Sequence, residues 1–219
     1  MTKKRSVRLA LFALAGLASL GLIAGAAPAA AAKKKAKKVT KTATLNQCVS
    51  TAQALTEGTV GVANNTPNVV FPVAVPKFKG KPQNGVVTAI TSVGVRITHT
   101  FDRDLFVNLA SPGGKVVPLA LGRGGSGDGY GSGETNCRGS LVLFADTFGP
   151  AITTPGNAPP TPIVGSFKPE QPLSALVGGP ASGNWVVLAN DGASGDSGRL
   201  DAVSLNLTYQ YKALKKKKK

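Results

Sequence analysis

Ser197 stands in the run Gly195-Asp196-Ser197-Gly198, and the chain's single histidine, His99, lies in Ile97-Thr98-His99-Thr100. A serine hydroxyl becomes a nucleophile when an imidazole takes its proton and a carboxylate orients that imidazole. The two runs therefore invite reading as a small serine hydrolase. Three carboxylates, Asp191, Asp196 and Asp201, crowd the same C-terminal segment. Oxygen-rich turns of this kind can hold Ca²⁺, and equally they can cap turns through their own backbone. Asp102 and Asp104 carry the same two readings. Cys48 and Cys137 are the only cysteines. In an exported chain they most simply form one disulfide, two unpaired thiols being the alternative. No further Cys or His is present to complete a zinc set.

The elements that position these residues are strands. Trp185 to Ala189 is apolar and β-prone, Asn190 to Gly198 is turn chemistry, and Leu200 onward returns to strand. From Val203 to Tyr211 the alternation is strict, with Val203, Leu205, Leu207, Tyr209 and Tyr211 on one face, a period that a helix cannot present as one face. Val93, Val95, Ile97, His99 and Phe101 share a face in the same way, which points His99 into the core as a hydrogen-bonded core histidine. Strands are further expected over 69–75, 86–90, 104–110, 116–121, 141–144 and 163–167. Pro72 and Pro76 make the first an edge or entry segment. Ser111-Pro112-Gly113-Gly114 predicts a hairpin through a type II turn. Cys48 to Leu55 reads as a short helical turn. Short strands with turn signals about every ten residues predict an all-β, antiparallel, jelly-roll-like β-sandwich of about eight strands.

Residues 1–32 join a basic start to an uncharged run from Leu9 to Ala32, with small residues around Ala27, Pro28 and Ala29. This matches a secretory signal peptide cleaved between Ala29 and Lys33. The run is also long enough to span a bilayer, so an uncleaved anchor is the competing reading. Residues 33–67 read as a lysine-rich, disordered arm and N-terminal extension, 68–211 as the sandwich, and 212–219 as a polylysine tail. The net charge of +16 belongs to the ends. Between 42 and 211, ten basic residues face all ten acidic ones, and aromatics are sparse. That excludes a dedicated, sequence-specific nucleic-acid-binding domain. The lysine ends read either as solvated tails or as an electrostatic tether to an anionic cell-envelope polymer or membrane surface.

Four blocks in order, VRITHTFDRDLFVNLASPGGKVVPL (95–119), GGSGDGYG (124–131), GSFKPEQPLSAL (165–176) and GNWVVLANDGASGDSGRLDAVSLNL (183–207), resemble the P/Homo B domain of subtilisin-like proprotein convertases and secreted bacterial proteins. The resemblance spans about two thirds of the chain. It implies a non-catalytic sandwich that packs on and stabilises a protease, and calcium binding in some bacterial members. Trp185, His99, Gly195 and Gly198 become structural fixed points. The chain departs from the family where Asp102-Arg103-Asp104 replaces a glycine-bearing turn, where only Asp146 remains of an acidic cluster, and where Val203 stands for a tryptophan.

The nucleophile segment of trypsin-like proteases continues with a second Gly and a Pro. Here Arg199 follows Gly198, and His99 lacks the Ala-Ala-His-Cys setting. The segment before residue 68 is too short for a subtilisin-like catalytic domain. The leading expectation is therefore a secreted, stand-alone accessory or binding module, itself no enzyme, that acts beside a separate secreted serine protease. An envelope- or carbohydrate-binding sandwich is the alternative, and a hydrolase built on Ser197 the third reading.

Overall fold

The computed structural model describes residues 38–58, 68–152 and 162–215. The leader read over 1–32 lies outside them, as do 33–37 and the last four lysines. Among the described residues nine strands form two sheets that pack face to face as a β-sandwich. They are β1 (Lys38–Ala54), β2 (Asn68–Val73), β3 (Val86–His99), β4 (Leu105–Ala110), β5 (Val116–Leu121), β6 (Val142–Phe144), β7 (Ser166–Phe167), β8 (Gly183–Asp191) and β9 (Gly198–Leu214). One sheet runs β1-β9-β3-β6-β7, the other β2-β8-β4-β5. All pairings are antiparallel except β6 with β7.

The period-two faces meet in the middle. Val93, Val95 and Ile97 of β3 and Val203, Leu205 and Leu207 of β9 are buried. Opposite them lie Phe71 of β2, Val107 and Leu109 of β4, and Trp185 and Val187 of β8. Trp185 fills the largest fully buried side-chain position, and its indole N–H donates to the Ala181 carbonyl at 3.1 Å, so the ring's polar edge is not stranded. β2 is an edge strand, the position in a sheet at which a proline such as Pro72 is tolerated.

Three expectations are corrected. Cys48–Leu55 forms no helical turn: β1 runs through Ala54 in register with β9, from Lys38 opposite Leu214 to Ala54 opposite Arg199. The sandwich thus recruits a strand from the segment read as an extension. The two strands expected at 86–90 and 93–101 are one, β3, whose register against β9 shifts at Val87/Ala89 and Ile90/Ser92. These bulges disturb the alternation that a sequence reader follows. In the β4–β5 hairpin the positive φ falls on Gly114 (+81°) and not on Gly113, with Gly114 N–H donating to the Ser111 carbonyl at 2.9 Å. That is a type I turn closed by a left-handed glycine, a geometry that type II excludes.

Cys48 and Cys137 are joined in a disulfide 89 residues apart in sequence, with Cα atoms 6.0 Å apart. It pins β1 to the loop after the glycine-rich segment, where Cys137 N–H also donates to Ser50 Oγ at 3.1 Å. A disulfide of this kind belongs to an oxidising compartment. Among the described residues no helix is long and apolar enough to cross a membrane.

Candidate functional site

At the end of the sandwich where β3 stops and β9 begins, the sequence blocks come together. His99, the last residue of β3, pairs across the ladder with Gly198, the first of β9. The imidazole is buried. Its Nε2 lies 2.9 Å from Asp191 Oδ2 at the end of β8, and its Nδ1 accepts the Phe101 backbone N–H at 3.0 Å. A nitrogen that accepts carries no hydrogen, so the hydrogen sits on Nε2 and is donated to Asp191. The other Asp191 oxygen accepts Ala193 N–H at 3.2 Å. Gly198 is glycine for space and not for dihedral freedom: a methyl group there would collide with His99 Cδ2 and Leu55 Cδ1. Gly195, by contrast, holds φ +112° in the open turn.

This arrangement does not offer the imidazole to Ser197 as a base. Its side chain is exposed, while both ring nitrogens of His99 are engaged by Asp191 and Phe101. A Ser-His-Asp triad needs one imidazole nitrogen turned towards the hydroxyl. Here the residues that would be base and orienter face each other inside the core.

Nor are Asp191, Asp196 and Asp201 brought onto one ion. Asp191 serves His99. Asp196 Oδ1 accepts from Thr100 Oγ1 at 2.8 Å. Asp201, buried on β9, accepts from Thr98 Oγ1 at 2.6 Å and from Arg199 Nε at 2.5 Å. A guanidinium already neutralises the third carboxylate, and among the described residues no three His, Cys, Asp or Glu side chains form a metal-binding group. The three do not fit a Ca²⁺ site. They tie the β8–β9 turn and the start of β9 to the end of β3, so the turn-capping alternative describes Asp191, which accepts Ala193 N–H, while threonine hydroxyls, and Arg199 at Asp201, hold the other two.

One buried carboxylate acts as neither a cation ligand nor a cap of its own turn. Asp102, in the 3₁₀ turn Asp102–Asp104, reaches into the glycine-rich loop. Its Oδ1 accepts Gly129 N–H at 2.6 Å, and its Oδ2 is buried with no hydrogen-bond partner. The loop glycines exist to admit it: a Cβ at Gly127 would sit 2.6 Å from Oδ2, and one at Gly124 2.9 Å from it. The neighbouring Tyr130 stitches the loop to β3 through paired backbone bonds with Ile97 at 2.9 and 2.8 Å, and its hydroxyl donates to the Arg123 carbonyl at 2.9 Å. Glycines at 122, 124, 125, 127, 129 and 131 were the available signal that something packs against this backbone.

Burial pushes the Asp102 carboxyl up to about 6. The Gly129 bond and the field of His99 act against the rise, and Asp128 adds to it. The folded state then holds this proton more tightly than the unfolded chain. The group's contribution is complete below the unfolded value near 3.8 and is lost as pH rises through about 6, a change of about 2–3 kcal/mol. Asp102→Asn keeps the acceptor for Gly129 and removes the charge. It is expected to raise stability at pH 7.5 by about 2 kcal/mol and to abolish this pH dependence relative to wild type. Denaturant unfolding at pH 4.5 and 7.5 would measure it. A less stable variant at pH 7.5 would contradict the assignment.

No family model matches the chain, and no curated protein matches it. Among solved structures it is similar to the serine protease of Aeromonas sobria in complex with its chaperone, at TM-score 0.39 and 16% identity over 80% of this chain. It is similar also to the serine protease of Aeromonas sobria solved as such, at TM-score 0.39 and 15% identity over 79% of this chain. The match covers 27% of those chains' length. The two-sheet fold is compatible with the P/Homo B resemblance.

Proposed function

We propose that this chain is an exported, non-catalytic accessory module of P/Homo B type, which binds and stabilises a separate secreted subtilisin-like serine protease. The observation that carries the reading is the use made of the most chemistry-bearing residues. His99 and Asp191 are spent on each other under Gly198, and Trp185 on the core, so the quoted blocks build a scaffold. The disulfide is of the kind found in exported proteins. Fold alone assigns no function, so the proposal is tested on activity. The subtilisin-like protease secreted by the same organism is heated alone and with the full chain. The chain should lengthen the half-life of proteolysis at least threefold, and Ser197→Ala should do so equally. An unchanged half-life removes the accessory role. Labelling of the wild-type chain by a serine-reactive phosphonate, lost in Ser197→Ala, replaces it with a hydrolase.

A further inference from the structure

The antiparallel pairing of β1 with β9 carries a consequence for charge. Lys38 lies opposite Leu214, and Thr40 opposite Lys212, so the two lysine-rich ends leave the sandwich at the same pole. The loop from Val73 to Val86 hangs on that pole. Gln83 Oε1 accepts Lys212 N–H at 3.0 Å, and Gln83 Nε2 donates to the carbonyls of Lys212 (2.9 Å) and Pro76 (2.5 Å). This loop contributes Lys77, Lys79 and Lys81, which a linear count assigns to a neutral body. Seven exposed lysines, at 38, 41, 77, 79, 81, 212 and 215, therefore converge from three separate chain segments. The opposite pole, about 45 Å away along β9 at the rise of an extended strand, holds Glu57, Asp102, Asp104, Asp128, Asp191, Asp196 and Asp201, which outnumber Arg103 and Arg199 beside them. None of the four ion pairs among the described residues involves a lysine. The formally neutral body is an electric dipole built by topology.

Apolar groups stand among the lysines. Val86 is 48% and Leu214 40% exposed, Phe78 and Tyr211 are half-buried, and Lys79 Nζ sits 5.8 Å from the Phe78 ring centre. Beside Val86 and Tyr211 opens a groove of about 440 Å³, lined also by Thr40, Asn84, Gln210 and Lys212 and without a carboxylate. We infer that this pole docks end-on against the anionic headgroups of a phospholipid bilayer. A linear polyanion would need only the charges. A bilayer interface also accepts aromatic and aliphatic side chains at headgroup depth, between lysines whose stems lie along them. The inference is independent of the accessory role proposed above.

The full chain is sedimented with vesicles of phosphatidylcholine alone or with 30% phosphatidylglycerol, and the ratio of the two partition coefficients is read. An apolar leader would bind both vesicles, so the ratio isolates charge. Lys77→Ala/Lys79→Ala/Lys81→Ala should lower the ratio roughly a hundredfold at low salt, since each lysine near an anionic surface contributes roughly fivefold. Arg103→Ala/Arg138→Ala should leave it within twofold. Val86→Ser/Leu214→Ser should lower binding to anionic vesicles at least threefold. If the loop triple variant binds like wild type, the tails act alone and the folded pole is not the site. If Val86→Ser/Leu214→Ser binds unchanged, or soluble polyphosphate at equal phosphate concentration strips the chain from vesicles, the ligand is a free polyanion and the bilayer assignment fails.

Discussion

Replacing Cys48 and Cys137 together by alanine is expected to destabilise the protein by about 4–5 kcal/mol and to lower its melting temperature by about 10–15 °C. The bridge closes a loop of 89 residues, and restricting the unfolded chain over that length accounts for the magnitude. The native side adds a location. β1 is an edge strand whose side chains are mostly exposed, with only Ala43 and Leu45 packed partly on the core. Its attachment is the backbone ladder to β9 and the cross-link at Cys48. The first observable in the double variant is therefore faster amide exchange along 38–54, while β3, β4 and β8 stay protected. Calorimetry and exchange together check it. A melting temperature within 3 °C of wild type, with β1 still protected, would show that the ladder alone suffices.

The position of β1 also explains what the sequence conceals. β3, β4, β5, β8 and β9 announce themselves because each buries alternate large apolar side chains, Val95 and Ile97 or Leu205 and Leu207 being examples. An edge strand that buries little needs few such residues, and in KVTKTATLNQCVSTAQA the face that carries Ala43 and Leu45 also carries Lys41 and Gln47. Its identity as a strand is decided by a partner 145 to 176 residues away. The same distance problem governs the site. Strand parity places His99 in the core, since parity is local. That Asp191 would be its partner is not local, and a carboxylate in a glycine-rich turn reads as readily as a cation ligand. Net charge behaves likewise: a count along the chain balances residues 42–211, while the fold carries Lys77, Lys79 and Lys81 to one end and most carboxylates to the other. What alternation and composition fix is legible, and what antiparallel register fixes is not.

His99→Ala is expected to destabilise the fold by about 3–5 kcal/mol, a large fraction of what a domain of this size commands. The substitution removes the donor to Asp191 Oδ2 and leaves a fully buried carboxylate with only the Ala193 N–H at 3.2 Å. It also strips the acceptor from Phe101 N–H and opens a void under Gly198. Because the damage lies mainly in the unpaired carboxylate, Asp191→Ala in the His99→Ala background should cost far less than Asp191→Ala alone. A double-mutant cycle should return a coupling of at least 2 kcal/mol. His99→Gln tests the geometry: its amide can donate to Asp191 and accept from Phe101, so it should recover about half of the loss. These outcomes separate a scaffold from a catalyst. A general base can be deleted with the fold intact and the chemistry gone. Here chemical denaturation should show the fold itself failing first. If His99→Ala unfolds within 1 kcal/mol of wild type, the imidazole is not holding β3, β8 and β9 together, and its conjunction with Asp191 needs a chemical explanation.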